Sequence, residues 1–265
     1  DCVRLAQLAA TLGATVSGDF QYVTREGYRR PVNDCIVADE RDDLDTLVDA
    51  DWYEAHSLHE DYRVLLSCTK DEWNQWVSSG RSKLSAFLPL AESRDWVIGE
   101  DNLAQELRRR GVENLPHCPY RSNDFRIVDW DFEEKHWSKW KSAAKDDPSL
   151  WARLLQRVLD EQDTYLQAKH NAQVIQVATN GHTRQLRCEG VLPSWILKFR
   201  DLPCLQDTRG NFRQPAELLR RTPDTESLLD VEPFVRAELD TEATRQLLIM
   251  LGVRDTPTGP DRLLD

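Results

Sequence analysis

The strongest constraint on this fold is a pattern written twice. YVTREGYRRPVNDCIVA at 22–38 and LQDTRGNFRQPAELLRR at 205–221 each run from an apolar residue into a glycine turn, at Gly27 and Gly210. Each leaves through an aromatic, an arginine and a proline: Tyr28, Arg29 and Pro31 in one, Phe212, Arg213 and Pro215 in the other. The two glycines lie 183 positions apart. Each run predicts a short strand, a turn in which glycine takes a positive φ, and a return strand. Proline then opens a helix, at a position where its missing N–H costs nothing. Gln7-Leu8-x-x-x-Leu12-Gly13 echoes Gln246-Leu247-x-x-x-Leu251-Gly252, and LVDADWY (47–53) echoes LLDVEPF (228–234). Arg63, Leu65 and Leu66 fall opposite Arg245, Leu247 and Leu248. From residue 25 to about 70 the offset stays between 181 and 184, outside which only the Gln7 echo falls, and ordered matches at a nearly constant offset mean internal duplication.

The chain between the copies reads differently. DEWNQWVSS (71–79) predicts a short helix, and LSAFLPLAES (84–93) a loop or strand. Residues 101–111 predict a helix capped by Asp101 and ended by Gly111. In NDFRIVDWDF (123–132), Phe125, Ile127 and Asp129 alternate with Arg126, Val128 and Trp130, the period of a strand. Residues 133–145 predict a helix with Trp137, Trp140 and Ala144 on one side. Pro148 opens a helical stretch striped by Leu150, Trp151, Leu154, Leu155, Val158 and Leu159. From Val174 onward Asn180-Gly181 predicts a hairpin with a type I′ turn. Residues 194–202 predict a helix capped by Ser194. Helices mix with short hairpins without regular alternation, which predicts an α+β fold. The expected organisation is two related hairpin-helix units, 1–70 and 190–265, flanking a mainly helical, Trp-rich middle, 71–189.

Composition narrows the function. The net charge of −12 repels a phosphate backbone on average, so nucleic acid is not the expected partner. The six cysteines include no C-x-x-C pair, and no apolar run approaches the roughly 20 residues of a membrane span. A cytoplasmic location is therefore expected, with no membrane partner. A first residue that is Asp and not Met suggests an excised or processed segment. G-x-S-x-G, G-x-x-x-x-G-K-[ST] and G-x-G-x-x-G are all missing from the sequence.

Three groupings of side chains could bear chemistry. Asp129, Asp131 and Glu134 with Lys135 have the ingredients of a magnesium-dependent nuclease, the alternative to a non-catalytic chain. The structural reading of the same residues is a charged strand end leading into a helix N-terminus. His56 and His59, with His117 and Cys118, could supply four zinc ligands, although their spacing follows no standard zinc pattern. Trp73 with Trp76 and Trp137 with Trp140 each repeat at i, i+3 and could present a partner-binding face; the competing reading is core.

The run LPCLQDTRGNFRQPAELL, with LLDVEPFV and QLLIMLGV after it, resembles a segment of large sacsin-like proteins. Bacterial relatives of that family begin with an ATPase domain of the gyrase, heat-shock and histidine-kinase type. Leu202-Pro203, Asp207, Gly210, Pro215, Glu217 and Leu218 match the family pattern. The first copy departs from it, lacking the leucine-proline and placing Asn33-Asp34 where Ala216-Glu217-Leu218 stands. The resemblance covers about 190–265 and, loosely, 15–70. It implies a scaffold segment downstream of an ATPase, with a family-level hint of quality control or bacterial defence. The ATPase's own motifs do not occur in this sequence. No cofactor is then expected in this segment, and its partners would be other domains of the same polypeptide or other proteins.

Overall fold

A computed structural model describes residues 4, 5, 8, 11, 12, 21–31, 34–36, 47–61, 91–94, 98–114, 124–160, 172–178, 181–186, 188, 190–228 and 231–256. The fold is α+β. Two compact units are present: Asp1–Pro89 with Glu134–Lys139, and Leu90–Glu133 with Trp140–Asp265. Most of the expected separate middle therefore belongs with the second hairpin.

In the first unit, β1 (Gln21–Val23) pairs antiparallel with β2 (Arg29–Pro31), and α1 (Ala50–His56) follows. The Asp49 carboxylate accepts the Trp52 N–H at 3.1 Å and caps α1.

The second unit opens with β3 (Ala91–Arg94), β4 (Ile98–Gly99) and α2 (Glu100–Arg109). Next come β5 (Asp124–Asp131), α3 (Glu134–Ala143), which starts among the residues of the first unit, and α4 (Leu150–Asp160). Strands β6 (Gln173–Val177) and β7 (Thr183–Leu186) complete an antiparallel sheet ordered β3-β5-β6-β7, with β4 also paired to β5. The period of β5 appears as predicted: Phe125, Ile127 and Asp129 are buried on one face. Phe125 and Ile127 pack with Leu103 and Leu107 of α2 and with Val174 and Leu186. The apolar stripe of α4 is buried along its length. Gly111 ends α2 at φ +84°. The N-cap of α2 is Gly99, without a side-chain bond, so Asp101 is not its cap.

After the sheet come α5 (Ser194–Arg200), the hairpin β8 (Leu205–Gln206) and β9 (Phe212–Arg213), and α6 (Arg245–Leu251). The hairpins of the two units share their turn. Thr24 N–H donates to Tyr28 O and Gly27 N–H to Thr24 O, both at 2.9 Å; Asp207 N–H donates to Asn211 O at 2.9 Å and Gly210 N–H to Asp207 O at 3.0 Å. Their glycines hold φ +83° and +86°. This is a three-residue loop closed by a left-handed glycine. The β6–β7 hairpin uses the same loop, with Ala178 N–H on His182 O and Gly181 N–H on Ala178 O. The predicted type I′ turn at Asn180-Gly181 is thus replaced by one that places Gly181 last. Three uses of one turn also mean that the turn by itself does not mark the duplication.

The strand that follows each hairpin does mark it. Ser57 O accepts the Arg25 N–H at 2.9 Å and Val23 O accepts the His59 N–H at 3.0 Å; Phe234 O accepts the Thr208 N–H and Gln206 O the Arg236 N–H, both at 3.0 Å. On the other side, Ile36 N–H donates to His56 O at 2.9 Å and accepts Leu58 N–H through its carbonyl at 3.0 Å. Leu219 N–H donates to Pro233 O at 3.0 Å, and its carbonyl accepts Val235 N–H at 2.9 Å. Each copy is therefore a hairpin with a central strand, antiparallel to the hairpin and parallel to the segment before it. Tyr22, Thr24, Cys35, Ile36, Ser57 and Leu58 are buried, and so are their counterparts Leu205, Asp207, Leu218, Leu219, Phe234 and Val235.

The register differs from the one the sequence suggests. Pairing places Tyr28 opposite Asn211 and Arg29 opposite Phe212, one residue off the aromatic-arginine-proline match. Pro31 is a strand residue paired with Gln21. Pro215 does open a 3₁₀ turn, Pro215–Glu217, where the Glu217 carboxylate accepts Gln214 N–H at 3.1 Å. LVDADWY and LLDVEPF are not equivalent, because Ser57-Leu58 matches Phe234-Val235. The seven-residue α1 precedes the central strand in the first copy, whereas a 3₁₀ turn, Glu226–Leu228, precedes it in the second. Residues 63–66 lie outside the described residues. Helical backbone occurs at Arg4, Leu5, Leu8 and Thr11, yet Leu8 and Leu12 are exposed while their echoes Leu247 and Leu251 are buried. In the second copy Arg254 adds a parallel bridge to Leu219.

Gly27 and Gly210 give a direct test of equivalence. A Cβ at Gly27 would meet nothing within 4 Å, and one at Gly210 only the Gln206 Nε2 at 3.8 Å. Alanine at either position therefore costs only backbone strain, about 1–2 kcal/mol. Urea titrations of Gly27→Ala and Gly210→Ala should give matching losses; a loss at one site alone contradicts the shared geometry.

Candidate functional site

The most concentrated polar constellation lies in the second unit, under the end of α2. Arg110 is fully buried. Its Nε donates to Glu106 Oε1 at 2.6 Å and its Nη1 to Leu192 O at 3.0 Å. Nη1 also lies 2.9 Å from Asp129 Oδ2. Asp129 is itself fully buried and accepts Trp130 N–H at 2.7 Å, Ser194 N–H at 2.8 Å and the Ser194 hydroxyl. Ser194 was expected to cap its own helix. It is instead the first residue of α5, and the Asp129 carboxylate on β5 receives its backbone N–H.

This arrangement binds α2, β5 and α5 together. A buried carboxylate with donors on both oxygens has no lone pair or opening to offer a magnesium ion. Asp131 is engaged as well: its Oδ2 lies 2.6 Å from Lys198 Nζ, and its Oδ1 accepts Phe132 N–H at 2.9 Å. Glu134 and Lys135 are exposed at the start of α3. The nuclease grouping thus supplies no open carboxylate pair.

The zinc grouping is not assembled either. His56 is buried at the end of α1, with Nδ1 2.8 Å from Trp52 O and its ring stacked on Trp52 at 3.9 Å. His59 is half-buried and accepts Asp61 N–H through Nδ1 at 3.2 Å. His117 and Cys118 lie outside the described residues. Among the described residues, no three His, Cys, Asp or Glu side chains group as metal ligands. Trp137 and Trp140 are buried, which corrects their reading as a binding face; the Trp140 ring meets Phe132 edge-on at 5.5 Å. Trp73 and Trp76 lie outside the described residues.

A cleft of about 240 Å³ opens in the second unit between α4 and β8. Gln156 and Leu159 line one wall, Cys204 and Leu205 the floor, and Arg236 and Glu238 the rim. The rim groups bind one another: Arg236 Nη1 donates to Gln206 Oε1 at 2.7 Å and Nε to Glu238 at 2.9 Å. Burial pushes the Cys204 thiol well above its ordinary range, and Cys35 is pushed up to about 12, mainly by burial and further by Asp34. Neither thiol is a thiolate nucleophile at neutral pH.

The second hairpin carries a strongly shifted carboxylate. Burial opposes the charge on Asp207, but bonds from Arg213 Nε at 2.7 Å and from the N–H groups of Asn211 (2.8 Å) and Arg209 (2.9 Å) hold it down at about 2. Its counterpart Thr24 performs the same turn-closing task without charge, accepting Tyr28 N–H through Oγ1 at 3.1 Å. A depressed carboxylate adds stability that is complete above its unfolded value near 3.8 and is lost as pH falls through about 2. Asp207→Asn should therefore lower the urea midpoint at pH 6 and flatten the acid limb between pH 4 and 2. An unchanged limb refutes the assignment.

Sequence reasoning missed Arg110, which reads as the end of a solvated basic run. The available signal was Asp129 in phase with Phe125 and Ile127, a charge on a buried face that requires a partner. Among the described residues no helix is long and apolar enough to cross a membrane. No family model, no curated protein and no solved structure matches this chain.

Proposed function

We propose that this chain is a non-catalytic scaffold or interaction segment built on a duplicated hairpin module. The carrying observation is what the two copies keep. They share backbone bonds, burial, a turn-closing side chain (Thr24, Asp207) and an arginine on the return strand (Arg30, Arg213), whereas Arg25 stands for Thr208, Tyr28 for Asn211, and Ser57 for Phe234. Function lives in particular side chains set on a fold, so two copies that keep their shape while many of these side chains differ in chemistry read as structural modules. The resemblance to sacsin-like proteins supports the same reading: a segment downstream of an ATPase, serving other domains of the polypeptide or partner proteins, in quality control or bacterial defence. It uses no cofactor of its own and resides in the cytoplasm.

The test is direct. Purified chain is incubated with magnesium and single- or double-stranded DNA, and separately titrated with ATP in a calorimeter. Neither cleavage nor binding heat is expected. Cleavage that depends on magnesium and disappears in Asp131→Ala would replace the scaffold with the nuclease.

A further inference from the structure

We draw no further inference here: the strongest candidate, the exposed leucine stripe of Leu5, Leu8 and Leu12 on the helical segment near the start of the first unit, is an unpartnered apolar face, and nothing in the structure shows what covers it.

Discussion

Asp129→Ala is expected to destabilise the second unit by roughly 3–5 kcal/mol, the cost of removing one partner of a buried ion pair. Arg110 would keep Glu106 and the Leu192 carbonyl but lose the carboxylate 2.9 Å from its Nη1. The first N–H of α5 would lose its acceptor at the same time. Against a total stability of about 5–15 kcal/mol this is a large fraction. Removing both charges should cost much less than removing one, since apolar side chains of similar volume need no partner. Guanidinium unfolding of Asp129→Ala, Arg110→Met and the double variant Arg110→Met with Asp129→Leu measures the coupling. A single-variant loss below about 1 kcal/mol would show that the pair is not buried as described.

Trp195→Ala should cost a similar amount, about 3–5 kcal/mol, through the cavity it leaves. Trp195 is fully buried on α5, with Phe132 at 6.2 Å and Phe199 at 6.5 Å, both edge-on. Helix α5 contacts both β5 and α6. Loss of the indole should therefore loosen the sheet and the second hairpin module together. Hydrogen exchange should show amides of β5 and of Leu219 and Val235 losing protection in step. Loss confined to α5 would mean that the sheet and the module unfold separately.

Much of this architecture is legible in the residues, and the illegible parts share a cause. Strand β5 reads correctly because one buried face imposes period two on Phe125, Ile127 and Asp129. The α4 stripe reads correctly because a helix with one buried face repeats near 3.6 residues. Gly27, Gly111 and Gly210 read correctly because a positive φ leaves few alternatives. The failures involve relations between distant segments. Similar letters in LVDADWY and LLDVEPF hide a connection of different length, which moves the equivalence to Ser57 and Phe234. The type I′ prediction treats Asn180-Gly181 as a two-residue loop, whereas the bond from Gly181 N–H to Ala178 O makes glycine its closing residue. The site was legible only in half, since the partner of Asp129 lies on another element and sequence spacing gives no measure of that distance.

The central strands of the two modules have a kinetic consequence. Each is joined to its own hairpin within about forty residues, so the entropy of ring closure in either copy is independent of the long sequence between them. Either module can then act as a starting point for refolding from denaturant, and a chain with one of them broken should still collapse around the other.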